Sequence, residues 1–258
     1  MTDLERGAEP VGGTLRVGKL ALLDVATLAI LGCASLLTGV AVHREFFSKP
    51  DDAAAFKVPV RADLNLAGRV IGSSRAPVSL TIFADFQCPY CANAQAALRS
   101  LLSVDPRVKI RYRHLPLETI HPHAWKAALA AECAADQGAF EAYHDLLFAK
   151  QDSIGKIAWS ELAVRSGVRS TPEFEACLAE ERHSGTIERD VLLARDLGID
   201  RTPTFVVGEN GYRGVPSRTW LKWSIEQAAK RLDITTIGGP HTSTVVIGAS
   251  TRTYGDRR

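Results

Sequence analysis

The sequence has almost no net charge, with 31 lysines and arginines against 29 aspartates and glutamates. It therefore lacks the long-range positive field that gathers nucleic acid or other polyanions, and we expect no nucleic-acid partner. An internal repeat is also absent from the sequence. Hydrophobic residues make up 46% of the chain, which is enough for one substantial core. We therefore predict a single domain with an insertion.

The N-terminus contains one long apolar run. Residues 1–19 are polar, whereas the run from Leu20 to Val42 has Asp24 as its only charge. A run of this length can cross a bilayer as a helix. Asp24 lies at its start, where a carboxylate can reach the lipid headgroups. The residues after Val42 are polar, unlike the small-residue site of a cleaved signal peptide. We predict an uncleaved transmembrane anchor at 20–42.

Cys33 gives this run an alternative interpretation. The segment Ile30 to Cys33 resembles the motif that precedes a lipidated cysteine, although Leu31 fits that motif poorly and the chain stays apolar beyond Cys33. In a membrane helix, Cys33 would simply be a small apolar residue. We keep the anchor as the prediction and lipidation of Cys33 as the alternative.

Two segments flank the folded part of the chain. Residues 43–65 show no sustained period of two or 3.6, which predicts a tether between the anchor and a domain. Residues 234–258 are rich in glycine, threonine and serine and show no core-forming pattern. They predict a loose tail. The domain is therefore predicted at 66–233.

The domain begins with a βαβ pattern. Alternating apolar residues predict strands from Val78 to Phe86 and from Val108 to Tyr112. Between them, apolar residues recur at steps of three and four from Cys88 to about Leu102, which predicts an amphipathic helix. A right-handed crossover makes the two strands parallel. Three further elements follow: a helical insertion at about 120–197, an antiparallel hairpin from Thr204 to Gly214, and a final helix capped by Ser217.

Cys88 and Cys91 are the main candidates for chemistry. Two thiols separated by two residues in the first turn of a helix can close a small disulfide ring. Cys88 lies among the unpaired N–H groups of the helix start, which favour a thiolate. Cys91 lies one turn further in, on the inward face. We predict that Cys88 is the nucleophile of a thiol-disulfide exchange and that Cys91 is the resolving thiol.

Half of a zinc site would have the same cysteine spacing. Such a site needs a second pair of ligands, and the remaining domain cysteines, Cys133 and Cys177, lie far apart in the sequence. His121 and His123 could supply nitrogen ligands, but such residues at a helix start more often serve in capping and packing. We therefore favour redox chemistry and predict no metal and no cofactor.

These motifs together resemble the DsbA-like branch of the thioredoxin superfamily. The resemblance spans about Gly68 to Leu232 and rests on two motifs, DFQCPYC from Asp85 to Cys91 and RTPT from Arg201 to Thr204. The segments from Ala131 to Phe140 and from Tyr143 to Ala149 look like the helical insertion of that family. The resemblance implies an α/β thioredoxin-like fold and a protein-disulfide oxidoreductase activity.

The resemblance also implies roles for residues around the cysteine pair. Pro203 corresponds to a cis proline that completes the catalytic site. A cis proline leaves the Thr202 backbone free to pair with an extended substrate. Pro89 and Tyr90 lie between the two cysteines, where they would contact the substrate.

One position departs from the family. Many relatives have a buried glutamate, thought to relay the proton of the resolving thiol, six residues before the first cysteine, where this chain has Ile82. Asp85 is the nearest carboxylate and is a possible proton relay. Its alternative role is that of a capping acid at the helix start.

The resemblance further implies a structural disulfide between Cys133 and Cys177. A structural disulfide and an oxidising dithiol persist outside the reducing cytosol. We therefore predict that the domain lies on the extracytoplasmic side of the cell membrane.

The resulting hypothesis is an oxidase of exported cysteine-containing proteins, recycled by a redox partner in the membrane. A reductase or isomerase would use the same site and is the first alternative. The second alternative is a binding module that uses the groove of the fold without redox chemistry.

Overall fold

The computed structural model describes residues 27–40, 54–59, 64 and 67–232. The chain divides into two units between Ser48 and Lys49. In the first unit, residues 27–40 are helical and exposed. The rest of the predicted anchor at 20–42 and the predicted tail at 234–258 lie outside the described residues. Among the residues described, no helix has both the length and the apolar character that a bilayer crossing requires. The anchor stays a prediction.

The second unit contains a six-stranded mixed sheet. Its strands are β1 (Ala55–Lys57), β2 (Arg69–Ile71), β3 (Val78–Ala84), β4 (Val108–His114), β5 (Thr204–Val207) and β6 (Asn210–Arg213). Their order across the sheet is β1-β6-β5-β3-β4-β2. β3 and β4 are parallel, and the other neighbouring pairs of this sheet are antiparallel. The parallel pair is the one that the βαβ pattern predicted.

Helices cover the sheet and fill the insertion. Within the described residues of the second unit they are α1 (Pro89–Val104), α2 (Ala124–Ala135), α3 (Phe140–Ala149), a 3₁₀ turn (Gln151–Ser153), α4 (Trp159–Arg165), α5 (Thr171–Ala179), α6 (Ser184–Asp196) and α7 (Arg218–Arg231). Helices α2 to α6 lie between β4 and β5 in the chain, so the predicted helical insertion is present. Ser217 caps α7, and its hydroxyl accepts a hydrogen bond from the Trp220 N–H at 3.1 Å.

The central strand β3 is buried on both faces. Leu80 and Ile82 pack in the same cluster as Cys91 of α1. Phe83 points to the opposite face and packs in a second cluster with Val206 of β5. Such two-sided burial requires helices on both faces of the sheet. The predicted α/β fold with a helical insertion is confirmed.

The sheet begins earlier in the chain than the sequence indicated. Ala55–Lys57 lies inside the segment predicted as a tether at 43–65, but it pairs with β6 as an edge strand. The Phe56 ring covers Gly211, where a Cβ atom would lie 2.5 Å from the ring. The Arg213 guanidinium lies 3.9 Å from the centroid of the same ring. A strand of three residues is too short to show alternation, and for this reason the tether was predicted too long.

A disulfide joins α2 to α5 in the insertion. It links Cys133 to Cys177, the pair that the family resemblance implied. Both residues are buried. The bond therefore holds two helices of the insertion together from inside the core.

Removal of this disulfide is expected to lower the free energy of unfolding by about 4 kcal/mol, because a link across this length of chain removes entropy from the unfolded state. Urea denaturation of the Cys133→Ala/Cys177→Ala variant measures the change. Cys33→Ala alters a free cysteine outside the second unit and is the control. A loss below about 1 kcal/mol would contradict the loop-closure expectation.

Candidate active site

Cys88 begins helix α1. β3 ends at Ala84, a short loop follows, and Cys88 is the N-cap residue, with Pro89 in the first helical turn. Proline is favoured there because its fixed φ suits a helix and it has no N–H to satisfy. The carbonyl oxygen of Cys88 accepts hydrogen bonds from the N–H groups of Cys91 and Ala92 at 3.0 and 3.2 Å. Cys88 therefore lies at the start of a helix that follows the strand, as predicted.

The Cys88 thiol has a pKa lowered from 9.0 to about 6. The largest cause is a hydrogen bond from the Cys91 thiol, which stabilises the Cys88 thiolate, and burial opposes it. The Thr202 side chain and the backbone N–H groups of Cys91 and Tyr90 lower the pKa further. In the thiol form, Cys88 Sγ donates to the carbonyl oxygen of Thr202 at 3.4 Å. Most Cys88 is therefore thiolate at pH 7.

Cys91 has the opposite protonation behaviour. Its side chain is fully buried. Burial raises the pKa of this thiol well above 9.0, and the hydrogen bond and charge of Cys88 raise it further. A backbone hydrogen bond from Asp85 and the Thr202 side chain lower it by less. The pair thus combines a thiolate with a protonated thiol, which is the asymmetry that the predicted nucleophile and resolving roles require.

Asp85 holds the loop that precedes Cys88. Its carboxylate accepts hydrogen bonds from the N–H groups of Gln87 and Leu117 at 2.7 and 2.8 Å, and it lies 2.8 Å from Nδ1 of His121. The backbone carbonyl of Asp85 also accepts a hydrogen bond from the Cys88 N–H at 3.1 Å. Asp85 thereby ties this loop to the segment after β4. The relay role assigned to Asp85 from the sequence stays a prediction.

A second loop faces Cys88 from the start of β5. The peptide bond between Thr202 and Pro203 is cis, as the family resemblance implied, and both residues are buried. Pro89 and Tyr90 are exposed, Tyr90 to 64%. Cys88 itself is 4% exposed. A substrate that reaches the small exposed part of Cys88 would contact Pro89, Tyr90 and the loop at Pro203.

Gln151 is a contact of this site that the sequence did not reveal. Its side-chain amide donates to the carbonyl oxygens of Phe86 and Cys88 at 2.8 and 2.9 Å. Gln151 lies in the 3₁₀ turn, so the insertion fixes the loop before α1. A glutamine between two helices carries no motif, and only the fold brings it to this loop.

The histidines considered as zinc ligands take part in loop contacts. His121 lies beside a carboxylate, and the backbone N–H of His123 donates to a glutamine side chain. In the described parts of the chain, Cys133, Cys177 and His183 form a group with metal-ligand spacing. Both sulfur atoms of that group belong to the disulfide. The active-site pair is not part of it.

The fold and this site define a class of proteins, in which a dithiol at the start of a helix follows the central strand and faces a cis-proline loop. A sequence model of the family described as Thioredoxin matches residues 64–227. The chain belongs to the thioredoxin family, and the resemblance predicted from the sequence is confirmed.

Solved structures with the same fold are DsbA-like thiol-disulfide oxidoreductases. A thioredoxin-like oxidoreductase from Silicibacter pomeroyi DSS-3 is 28% identical with a TM-score of 0.58, and the match covers 66% of this chain and 98% of that chain. DsbA2 from Pseudomonas aeruginosa is 28% identical with a TM-score of 0.55, over 63% and 94% of the two chains. BdbD from Bacillus subtilis, at 21% identity and a TM-score of 0.58, shares the fold over 70% and 100%.

Curated relatives are much longer than the region that matches. The Na(+)/H(+) antiporter NhaA 3 of Salinispora tropica is 41% identical over 191 residues, which are 74% of this chain and 29% of the relative. The antiporter NhaA of Herminiimonas arsenicoxydans is 32% identical over 207 residues, 79% of this chain and 31% of the relative. The chain spans less than a third of these relatives, and their transport activity is not assigned to it.

The pKa of Cys88 is expected to depend on a donor at position 91. Cys91→Ala removes the hydrogen bond that lowers this pKa most, so the pKa should rise towards 9.0. Cys91→Ser keeps a hydroxyl donor and should give a lower pKa than Cys91→Ala. Ultraviolet absorbance of the thiolate, followed against pH, measures both values. Equal pKa values in the two variants would show that the helix start sets the pKa without the neighbouring thiol.

Proposed function

We propose that this protein introduces disulfides into exported proteins through Cys88 and Cys91. The observation that carries the proposal is the Cys88 sulfur at the start of α1, with its pKa lowered to about 6. A buried thiol on one side and the cis-proline loop on the other support the same reaction. Membership of the thioredoxin family supports thiol-disulfide exchange.

The cycle starts from a disulfide between Cys88 and Cys91. A substrate thiolate attacks the Cys88 sulfur, the bond between the two cysteines breaks, and Cys91 leaves with the electron pair and takes up a proton. A second substrate thiolate then attacks the substrate sulfur of the mixed disulfide, and Cys88 leaves as a thiolate. The substrate has lost two electrons and gained a disulfide. A redox partner must accept these electrons to restore the starting state.

The lowered pKa of Cys88 favours the oxidase direction. The pKa of Cys88 in the folded, reduced protein lies below the ordinary value of 9.0. Ionisation of Cys88 therefore stabilises the reduced protein by an amount that is zero below about pH 6, grows as the pH rises, and is complete above pH 9.0. At pH 7 it favours the reduced form by about a factor of ten. This factor corresponds to about 30 mV for a two-electron couple. The disulfide is a stronger oxidant by that amount.

The reduction potential of the Cys88 and Cys91 couple is expected to be more oxidising than the thioredoxin value of about −270 mV and to lie towards the DsbA value of about −120 mV. Equilibration with glutathione buffers at pH 7 measures it. Cys88→Ser should show no transition in this range, which assigns the titration to the active-site pair. A potential at or below that of thioredoxin would contradict the oxidase direction and favour a reductase.

We further propose that the domain lies outside the cytosol, attached to the cell membrane by the apolar run at 20–42. An oxidising dithiol and the disulfide between Cys133 and Cys177 persist where thioredoxin and glutathione do not reduce them. The partners would then be exported proteins with cysteines and a membrane redox protein that reoxidises the dithiol.

Cys91→Ser is expected to trap clients as mixed disulfides on Cys88, because the thiol that resolves them is missing. The full-length variant is purified from the membrane fraction, and the proteins released by reductant are identified by mass spectrometry. The Cys88→Ser/Cys91→Ser variant is the control and should release none of them. Recovery of cytosolic clients, or of the variant in the soluble fraction, would contradict the proposed location.

A further inference from the structure

Gln151 contacts the backbone of the nucleophile itself. Its side-chain amide donates to the carbonyl oxygens of Phe86 and Cys88 at 2.8 and 2.9 Å. An amide carries two N–H donors, which match the two carbonyl acceptors that converge on it. The Cys88 carbonyl oxygen also accepts the first hydrogen bonds of α1, from the N–H groups of Cys91 and Ala92. Gln151 therefore joins the insertion to the residue that carries the reactive sulfur.

Two packing contacts hold the 3₁₀ turn in which Gln151 lies. Before the turn, the Phe148 ring packs on the Phe86 ring, with 5.1 Å between the ring centroids. After the turn, the His123 imidazole lies against Gly155, where a Cβ atom would come within 2.3 Å of Nε2 of His123. Gly155 has a φ of +83°, which glycine adopts without strain. The turn is therefore anchored on both sides, and the Gln151 amide is held against the loop.

The position of the Cys88 sulfur depends on the Cys88 backbone. Cys88 is an N-cap residue with an extended conformation, φ −74° and ψ 119°, so the helix holds it on one side only. Its N–H donates to the Asp85 carbonyl, and its own carbonyl is held by Gln151. A rotation of this backbone would move the sulfur away from the Thr202 carbonyl, which lies 3.4 Å from it, and from the Cys91 thiol. The contacts of the sulfur therefore require a fixed carbonyl.

We propose that Gln151 is a positioning residue for thiol-disulfide exchange, which holds the Cys88 backbone so that the sulfur stays beside its hydrogen-bond donors. This inference deepens the proposed function and rests on it. Without the amide, the carbonyl oxygens of Phe86 and Cys88 lose the donor that balances their partial negative charge. The Cys88 carbonyl is on the same residue as the sulfur, so its unbalanced charge disfavours the thiolate. The reduced protein then loses part of the stability that the thiolate provides.

Gln151→Met tests this role, because methionine keeps the length of the side chain and removes both N–H donors. Ultraviolet absorbance of the reduced full-length protein, followed against pH, gives the pKa of Cys88, which should rise from about 6 towards about 7. At pH 7 this change lowers the preference for the reduced form about fivefold, which makes the disulfide less oxidising by about 20 mV. Equilibration with glutathione buffers measures the potential.

Gln151→Glu is the second variant, and it decides alone if Gln151→Met does not fold. It keeps the length and shape of the side chain, but an ionised carboxylate has no N–H to donate. Its negative charge also disfavours a nearby thiolate. The pKa of Cys88 should therefore rise further than in Gln151→Met, and the potential should become still less oxidising.

Gln137→Met is the matched control. Gln137 is another glutamine of the insertion that bonds to the backbone of a neighbouring segment. Its amide donates to the Ser170 carbonyl at 2.9 Å, and its Oε1 accepts from the N–H groups of Arg169 and Ser170 at 3.0 and 2.8 Å. This variant should lower the free energy of unfolding, measured in urea, and leave the Cys88 pKa and the potential at their wild-type values.

Two results would overturn the positioning role and leave the proposed function intact. One is a Cys88 pKa and a potential that stay at the wild-type values in the Gln151 variants. The other is a rise of the Cys88 pKa that is as large in Gln137→Met as in Gln151→Met, because general loosening of the insertion would then be its cause. A wild-type potential at or below that of thioredoxin would instead overturn the proposed oxidase function.

Discussion

The hydrogen bond from the Cys91 thiol to the Cys88 sulfur, in the first turn of α1, is the interaction on which the chemistry of this protein depends. It is the largest cause of the lowered pKa of Cys88. Its donor keeps a proton because burial raises the pKa of Cys91. Two side chains of the same type thereby become unequal, since Cys88 is a thiolate at the helix start and Cys91 is a protonated thiol deeper in the core. Exchange chemistry requires this inequality, because one sulfur must capture a substrate and the other must release it.

The rest of the fold holds these two sulfur atoms in position. β3 is buried on both faces and ends immediately before the loop to Cys88. Two hydrogen bonds hold that loop. The Asp85 carboxylate accepts one from the Leu117 N–H, and the Gln151 side chain, in the insertion, donates one to the Phe86 carbonyl oxygen. The insertion therefore also contributes a side chain that holds the catalytic loop. Its own helices are joined by a disulfide.

Most of the fold follows from patterns that are local in the sequence. Alternation predicted β3 and β4, a period of 3.6 predicted α1, and the crossover rule predicted their parallel pairing. The edge strand at Ala55–Lys57 was missed because three residues show no period. This strand is stabilised by the Phe56 ring, which packs over Gly211 and next to the Arg213 guanidinium. That surface is created by a hairpin far along the chain, which no local pattern reports.

The sequence by itself determined the cysteine pair, its place at a helix start and the proline of the facing loop, because each of these is a short motif with a local physical meaning. Only the tertiary structure decided what surrounds the pair. Gln151 comes from a distant segment and carries no motif of its own. Its hydrogen bonds to the loop, and the burial that raises the pKa of Cys91, exist only once the chain has folded.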